Sequence, residues 1–156
     1  MMKNIDLDAI DRQILEHLQA DASRPVAEIA ERVGLSTNPC WRRIRRMEEQ
    51  GIITRRTVLV DPAKLGLGLI AFVTIKTDHH DKAWLRAFAD AVDLLPEIVE
   101  CHRMTGDVDY MLKVVVRDVA HYDDVYQRLL EKVPGLRDVS STFSMEMLKR
   151  SGIPTR

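Results

Sequence analysis

Near the start of the chain, apolar side chains recur at three- and four-residue steps. Leu7, Ile10, Ile14, Leu15 and Leu18 alternate with Asp8, Asp11, Arg12, Glu16 and Gln19. That spacing gathers the apolar positions on one stripe and predicts a helix over residues 6–22, with Asp6 as its N-cap. Ala22-Ser23-Arg24-Pro25 interrupts the pattern, and Pro25 suits the opening of a second helix. The second helix covers residues 26–33, with Val26, Ile29, Ala30 and Val33 on one side. Gly34 ends it in the left-handed conformation that glycine adopts without steric cost. Ser36 then caps a third helix running to about Gln50, with Pro39 in the first turn, where a missing N–H does no harm. Three short helices with a glycine-containing turn between the second and third form a helix-turn-helix pattern.

Beyond Gly51 the pattern changes. Residues 52–60 are rich in β-branched side chains, predict an extended strand and stop at Asp61-Pro62. Lys64-Leu65-Gly66-Leu67-Gly68 follows as a hinge softened by two glycines. The expected division is therefore a helix-turn-helix domain with its strand over residues 1–62, a hinge over 63–68, a second domain over 69–150 and a tail over 151–156.

The second domain contains a faint internal repeat. A strand at residues 72–76, a helix over about 81–94 and a strand ending at His102 are echoed by a strand at 111–116, a helix over 119–132 and a last strand ending near Met147. The Pro96 and Pro134 junctions are 38 positions apart, and Trp84 and Tyr122 share that offset. Two tandem β-α-β units predict a ferredoxin-like sandwich, with helices on one face of a four-stranded antiparallel sheet. The expected class is α+β: a winged-type helix-turn-helix of three helices joined by a strand linker to a ferredoxin-like βαββαβ sandwich. Alternating apolar residues on the uncovered sheet face predict that another subunit covers it.

The net charge of −1 does not advertise a nucleic-acid binder, but the local distribution does. Between Ser36 and Arg56, six arginines stand against Glu48 and Glu49. Cys40, Ile44 and Met47 share one side of the third helix. Asn38, Arg42, Arg45 and Arg46 share the other, with Trp41 and Arg43 on the flanks. An apolar face for the helical core and a polar face for the major groove are what a recognition helix needs. Ser36, Thr37 and Asn38 lie at the end suited to base edges and phosphates, and Arg42, Arg43, Arg45 and Arg46 suit phosphates or guanine. Arg55 and Arg56 on the following strand are placed to add backbone contacts, as a wing does.

Cys40 and Cys101, the only two cysteines, are far apart, so no disulfide framework or metal knuckle is expected; Cys101 reads as a buried strand residue. Asp78-His79-His80-Asp81 reads as an exposed turn without a third ligand, and no metal site is expected. No nucleophile pattern or phosphate loop is present, so catalytic residues and a required cofactor are not expected. The absence of an apolar leader at Met1-Met2-Lys3-Asn4, and of a span of about 20 apolar residues, points to a cytoplasmic protein rather than a membrane one.

Together these stretches resemble the Lrp/AsnC (feast/famine) family of regulators. The matching segments include residues 7–15, Val33-Gly34-Leu35-Ser36, residues 39–48, Gly51-Ile52-Ile53 and Thr105-Gly106-Asp107-Val108-Asp109-Tyr110-Met111-Leu112. Val108 stands where the family carries an aromatic residue. The resemblance implies a sequence-specific transcriptional regulator of amino-acid metabolism, not an enzyme, acting on double-stranded DNA. It also implies dimers formed through the C-terminal sheets, assembling into octamers, and a small effector held between dimers. Taken alone, the Gly106-Asp107 segment is a hairpin turn. The resemblance adds an effector role, with Met104, Thr105, Gly106, Asp107, Asp109 and Tyr110 on one side and Ser140, Thr142 and Phe143 on the other. Residues 77–80 and 139–146 further resemble a branch that responds to cysteine. Two alternatives share the same pattern: a siroheme-decarboxylase-like enzyme, and an architectural DNA-wrapping protein without an effector.

Overall fold

The computed structural model describes residues 6–155; the Met1–Ile5 stretch, where no apolar leader is expected, and Arg156 lie outside them. The chain divides into two compact units, one running to Leu59 and resuming at Leu148, the other spanning Val60–Met147.

The first unit is built on α1 (Ala9–Ala20), α2 (Val26–Arg32) and α3 (Thr37–Glu49). The N-cap of α1 is Asp8, two residues later than expected. Its side chain accepts from the Asp11 N–H at 2.8 Å, and Asp11 returns the bond to the Asp8 N–H at 3.3 Å. Asp6 has Ala9 three residues on and cannot close such a reciprocal box, so the later aspartate wins. Ile14, Ile29, Ala30, Val33, Cys40, Ile44 and Met47 form the core.

Ile52 and Ile53 pack on this core instead of beginning a strand. Both N–H groups bond the Met47 carbonyl, at 2.9 and 3.2 Å, with Gly51 left-handed at φ 73°. This wraps the chain around the end of α3. Residues 54–60 are exposed and join no ladder among the described residues, so the expected strand, and the strand that was to carry Arg55 and Arg56, is a correction. An extended segment becomes a strand only when another edge takes its N–H and C=O groups. In the expected hinge, residues 62–65 instead form a 3-10 turn, with the Asp61 side chain accepting from the Ala63 N–H at 3.0 Å.

The chain's end is not a free tail either. Gln19 exchanges two hydrogen bonds with the Ile153 backbone, at 3.1 and 2.8 Å. Arg12 donates to the Thr155 carbonyl at 2.8 Å, and the Thr155 hydroxyl donates to Glu16 at 3.0 Å. Thr155 is buried against α1 as a result.

The second unit contains β1 (Leu69–Thr77), α4 (Lys82–Asp93), β2 (Ile98–Arg103), β3 (Tyr110–Val116), α5 (Val119–Lys132) and β4 (Leu136–Phe143). Its antiparallel sheet has the order β2-β3-β1-β4. Ala71, Val73 and Ile75 lie opposite Val114, Leu112 and Tyr110, so one face of β1 and β3 is continuous and apolar. Phe88, Ala91 and Val92 of α4 and Tyr122, Val125 and Leu129 of α5 complete that core. The strand β4 stops at Phe143 rather than near Met147: its register with β1 ends at the Ala71–Phe143 pair, and Ser144 makes the last bond, to the Ile70 carbonyl at 2.8 Å. Cys101 is exposed on the edge strand β2, a correction to its expected burial: β2 has a neighbour on one side only. No helix among the described residues is long and apolar enough to cross a membrane.

Candidate nucleic-acid interface and effector loop

The helix α3 owes its orientation to three side chains. Cys40, Ile44 and Met47 are buried at four- and three-residue steps, which turns the opposite face outward. Burial pushes the Cys40 thiol up, so it packs as a neutral apolar group. On the outward face Ser36, Thr37, Asn38, Trp41, Arg42, Arg45 and Arg46 are exposed. Ser36 makes no side-chain capping bond, so the first N–H groups of α3 remain open to an acceptor such as a phosphate.

The arginines divide sharply. Arg43 donates from one nitrogen to Asp8 at 2.6 Å and to Asp11 at 2.9 Å. Arg46 donates to the other oxygen of Asp11. The Asp11 backbone N–H and the Arg43 guanidinium hold the Asp8 carboxyl below the usual carboxylate range. Arg43, and in part Arg46, therefore act as fasteners between α3 and α1. Arg45 pairs with Glu49 at 3.3 Å, and Arg56 with Glu48 at 3.2 Å. Arg42 and Arg55 have no carboxylate partner among the described residues. The fastening role of Asp8 and Asp11 escapes the sequence pattern, which places them simply on the polar side of α1. The one available signal is the Asp-x-x-Asp spacing of the capping box.

The loop between β2 and β3 is a tight reversal. Its ends are joined by the Met104 N–H donating to the Asp109 carbonyl at 2.8 Å, and Gly106 is left-handed at φ 101°. Thr105, Gly106 and Asp107 are exposed at its tip, and Met104 is exposed beside them. Asp109 is turned inward: its carboxylate accepts from the Thr77 N–H at 2.9 Å and its own N–H donates to the Ile75 carbonyl at 2.9 Å. Tyr110 is buried among Trp84 and Phe88, 4.5 Å from the Phe88 ring centroid. Opposite residues in the ladder share a face, so Ser140 and Thr142 lie on the open face with Thr74 and Phe72. Phe143 lies on the helix-covered face, edge-on to Tyr122, whose hydroxyl bonds the Ser141 hydroxyl. The nine expected effector residues are thus not brought together within one chain: the loop tip is exposed, Tyr110 is buried, Phe143 is exposed at the end of β4 on the helix side, and Ser140 and Thr142 sit on the open sheet.

Residues 7–48 match the AsnC-type helix-turn-helix domain, and residues 70–154 match the Lrp/AsnC ligand binding domain. The chain is 47% identical over 143 residues to the DNA-binding transcriptional activator DecR of Escherichia coli, covering 92% of this chain and 94% of that protein. It is 47% identical to the glutamate uptake regulatory protein of Zymomonas mobilis over 94% of this chain and 89% of the relative. An AsnC family transcriptional regulator from Agrobacterium tumefaciens superposes with a TM-score of 0.89 at 50% identity, covering 93% of this chain and 94% of the other. A transcriptional regulator from Neisseria meningitidis, solved as a complex with L-methionine, superposes with a TM-score of 0.87 at 32% identity, covering 94% of both chains.

Proposed function

The chain belongs to the Lrp/AsnC family of DNA-binding transcriptional regulators, and on that premise we propose how its two units divide the work. The first unit reads an operator with the outward face of α3. Thr37, Asn38, Arg42 and Arg45 face bases and phosphates, with Ser36 and the open N–H groups at the helix start holding a phosphate. Arg55 and Arg56, exposed just after α3, add backbone charge. Arg43 and Arg46 hold the reading helix in place. The observation that carries this reading is the split among the arginines, which leaves Arg42 without a carboxylate partner among the described residues, on the face opposite the buried core.

The second unit binds a small effector and joins subunits through its open sheet face, as a dimer that assembles further into an octamer in the cytoplasm. The effector is an amino acid. The L-methionine complex of the structural relative supports that class, and the exposed tip at Thr105, Gly106 and Asp107, beside Met104, is where backbone N–H groups would meet a carboxylate. Asp109 and Tyr110 serve by holding that tip against β1 and the aromatic core, and Ser140 and Thr142 line the open face. Cysteine is the first amino acid to test, since residues 77–80 and 139–146 resemble the cysteine-responsive branch.

The test is a mobility shift on DNA upstream of the protein's own gene, with and without each of the twenty amino acids. A specific shift altered by one amino acid is expected. Arg42→Ala should weaken it by about 1–3 kcal/mol if bases are contacted. Asp109→Ala should keep the shift and lose the response to the amino acid. A shift indifferent to every amino acid would refute the effector, and one indifferent to Arg42→Ala would refute the reading face.

A further inference from the structure

On a helix, side chains four residues apart fall in one row. Thr37, Trp41, Arg45 and Glu49 form such a row on the outward face of α3, and all four are exposed. Trp41 is 52% exposed and is the one exposed large apolar side chain among the described residues of the three helices. Nearly half of the indole is already covered within this unit, and the half that faces water is apolar surface that a partner could cover. The Arg45 guanidinium sits 5.8 Å from the Trp41 ring centroid, within cation–π range, while Glu49 accepts from the same guanidinium at 3.3 Å.

We propose that Trp41 and Arg45 form a base-reading pair for a guanine and a nearby thymine in the operator's major groove. The proposal rests on α3 being the helix that enters the DNA. Arg45 is held between a ring face and a carboxylate, so its planar fork loses less freedom on meeting the guanine O6 and N7 acceptors. The Glu49 carboxylate offsets its charge, which weakens its pull on phosphate and leaves the directional hydrogen bonds to discriminate. The thymine 5-methyl is the apolar group on the major-groove edge, and the exposed indole is the apolar surface in this row that can cover it. Arg42, one position after Trp41 and without a carboxylate partner among the described residues, is the complementary case: a charge suited to the backbone.

These roles separate experimentally. The full-length protein is used to select an operator from a randomised duplex library, and affinities are then measured with each thymine replaced in turn by uracil, which removes only the 5-methyl group. For the unmodified protein, one such replacement per half-site should cost about four-fold, the value of burying one methyl-sized group. Trp41→Ala should bind the selected operator more weakly and show no loss at that position, whereas Trp41→Leu, which keeps an apolar side chain, should retain part of it. Arg45→Ala should relax the preference at the neighbouring guanine with little change in salt dependence, while Arg42→Ala should reduce the salt slope by about one. Thermal melts of each variant separate lost folding from lost contact. Identical uracil profiles for the unmodified protein and a folded Trp41→Ala would overturn the proposal. So would a Trp41→Ala effect confined to subunit assembly, which would assign the indole to a second copy of the chain.

Discussion

Asp11 shows how much of this fold depends on single charged side chains. Its side chain is 1% exposed, and both oxygens are occupied: one by Arg43, the other by Arg46 and the Asp8 N–H. A carboxylate removed from water in this way stabilises the fold only while its partners stay in place. Replacing Asp11 with Asn keeps the shape and removes the charge that both guanidinium groups require. The expected cost is roughly 2–3 kcal/mol of stability in the first unit, read from the urea midpoint. A loss below about 0.5 kcal/mol would show that the arginines find equivalent partners in solvent or on Asp8. The types of these residues are legible in the chain; their pairing is not. Asp11 stands 32 and 35 positions from its two partners, beyond the reach of any periodic pattern.

Among the elements, α1 has the least predictable surroundings. Its apolar stripe is plain in the sequence, yet much of its polar face is occupied by the chain's own end through Arg12, Glu16 and Gln19. Gly152 is the point of closest approach, where an added Cβ would stand 2.5 Å from the Gln19 Oε1 atom. A chain ending at Ser151 should lower the stability of the first unit by about 1–2 kcal/mol, the value of a few partly exposed hydrogen bonds, and Gln19→Ala should reproduce part of that loss. Hydrogen exchange along α1 provides the check: unchanged protection in the shortened chain would mean that the end segment adds nothing to α1. Elements governed by their own residues came closer to expectation. The helix over 119–132 has the bounds its periodicity predicts, and Gly34 and Gly51 close α2 and α3 with positive φ. Residues 54–60 did not, because β-branched composition marks an extended segment without supplying its partner edge.

For the whole molecule, the open face of the sheet is the feature with most consequence. Phe72 at its centre is 39% exposed, flanked by Thr74 and Thr142 and by the Lys113–Glu100 ion pair at 2.9 Å. If subunits join there, Phe72→Glu buries a charge in the interface and should give a folded monomer by sedimentation velocity, with operator affinity reduced because two half-sites are no longer read together. An unchanged assembly would place the interface elsewhere.

The sequence by itself determined the order of helices and strands, the helix-turn-helix, the βαββαβ repeat and the family, since caps, periodicities and turns depend on residues within a few positions of one another. Only the tertiary structure decided which arginines are fastened to α1 and which have no carboxylate partner among the described residues, that Asp109 secures a loop to β1, that residues 152–155 lie along α1, and that Trp41 and Arg45 stand together on the outward face. Charged and hydrogen-bonding side chains select partners by three-dimensional proximity and by what burial leaves unsatisfied, and those quantities exist only once the fold has brought distant segments together.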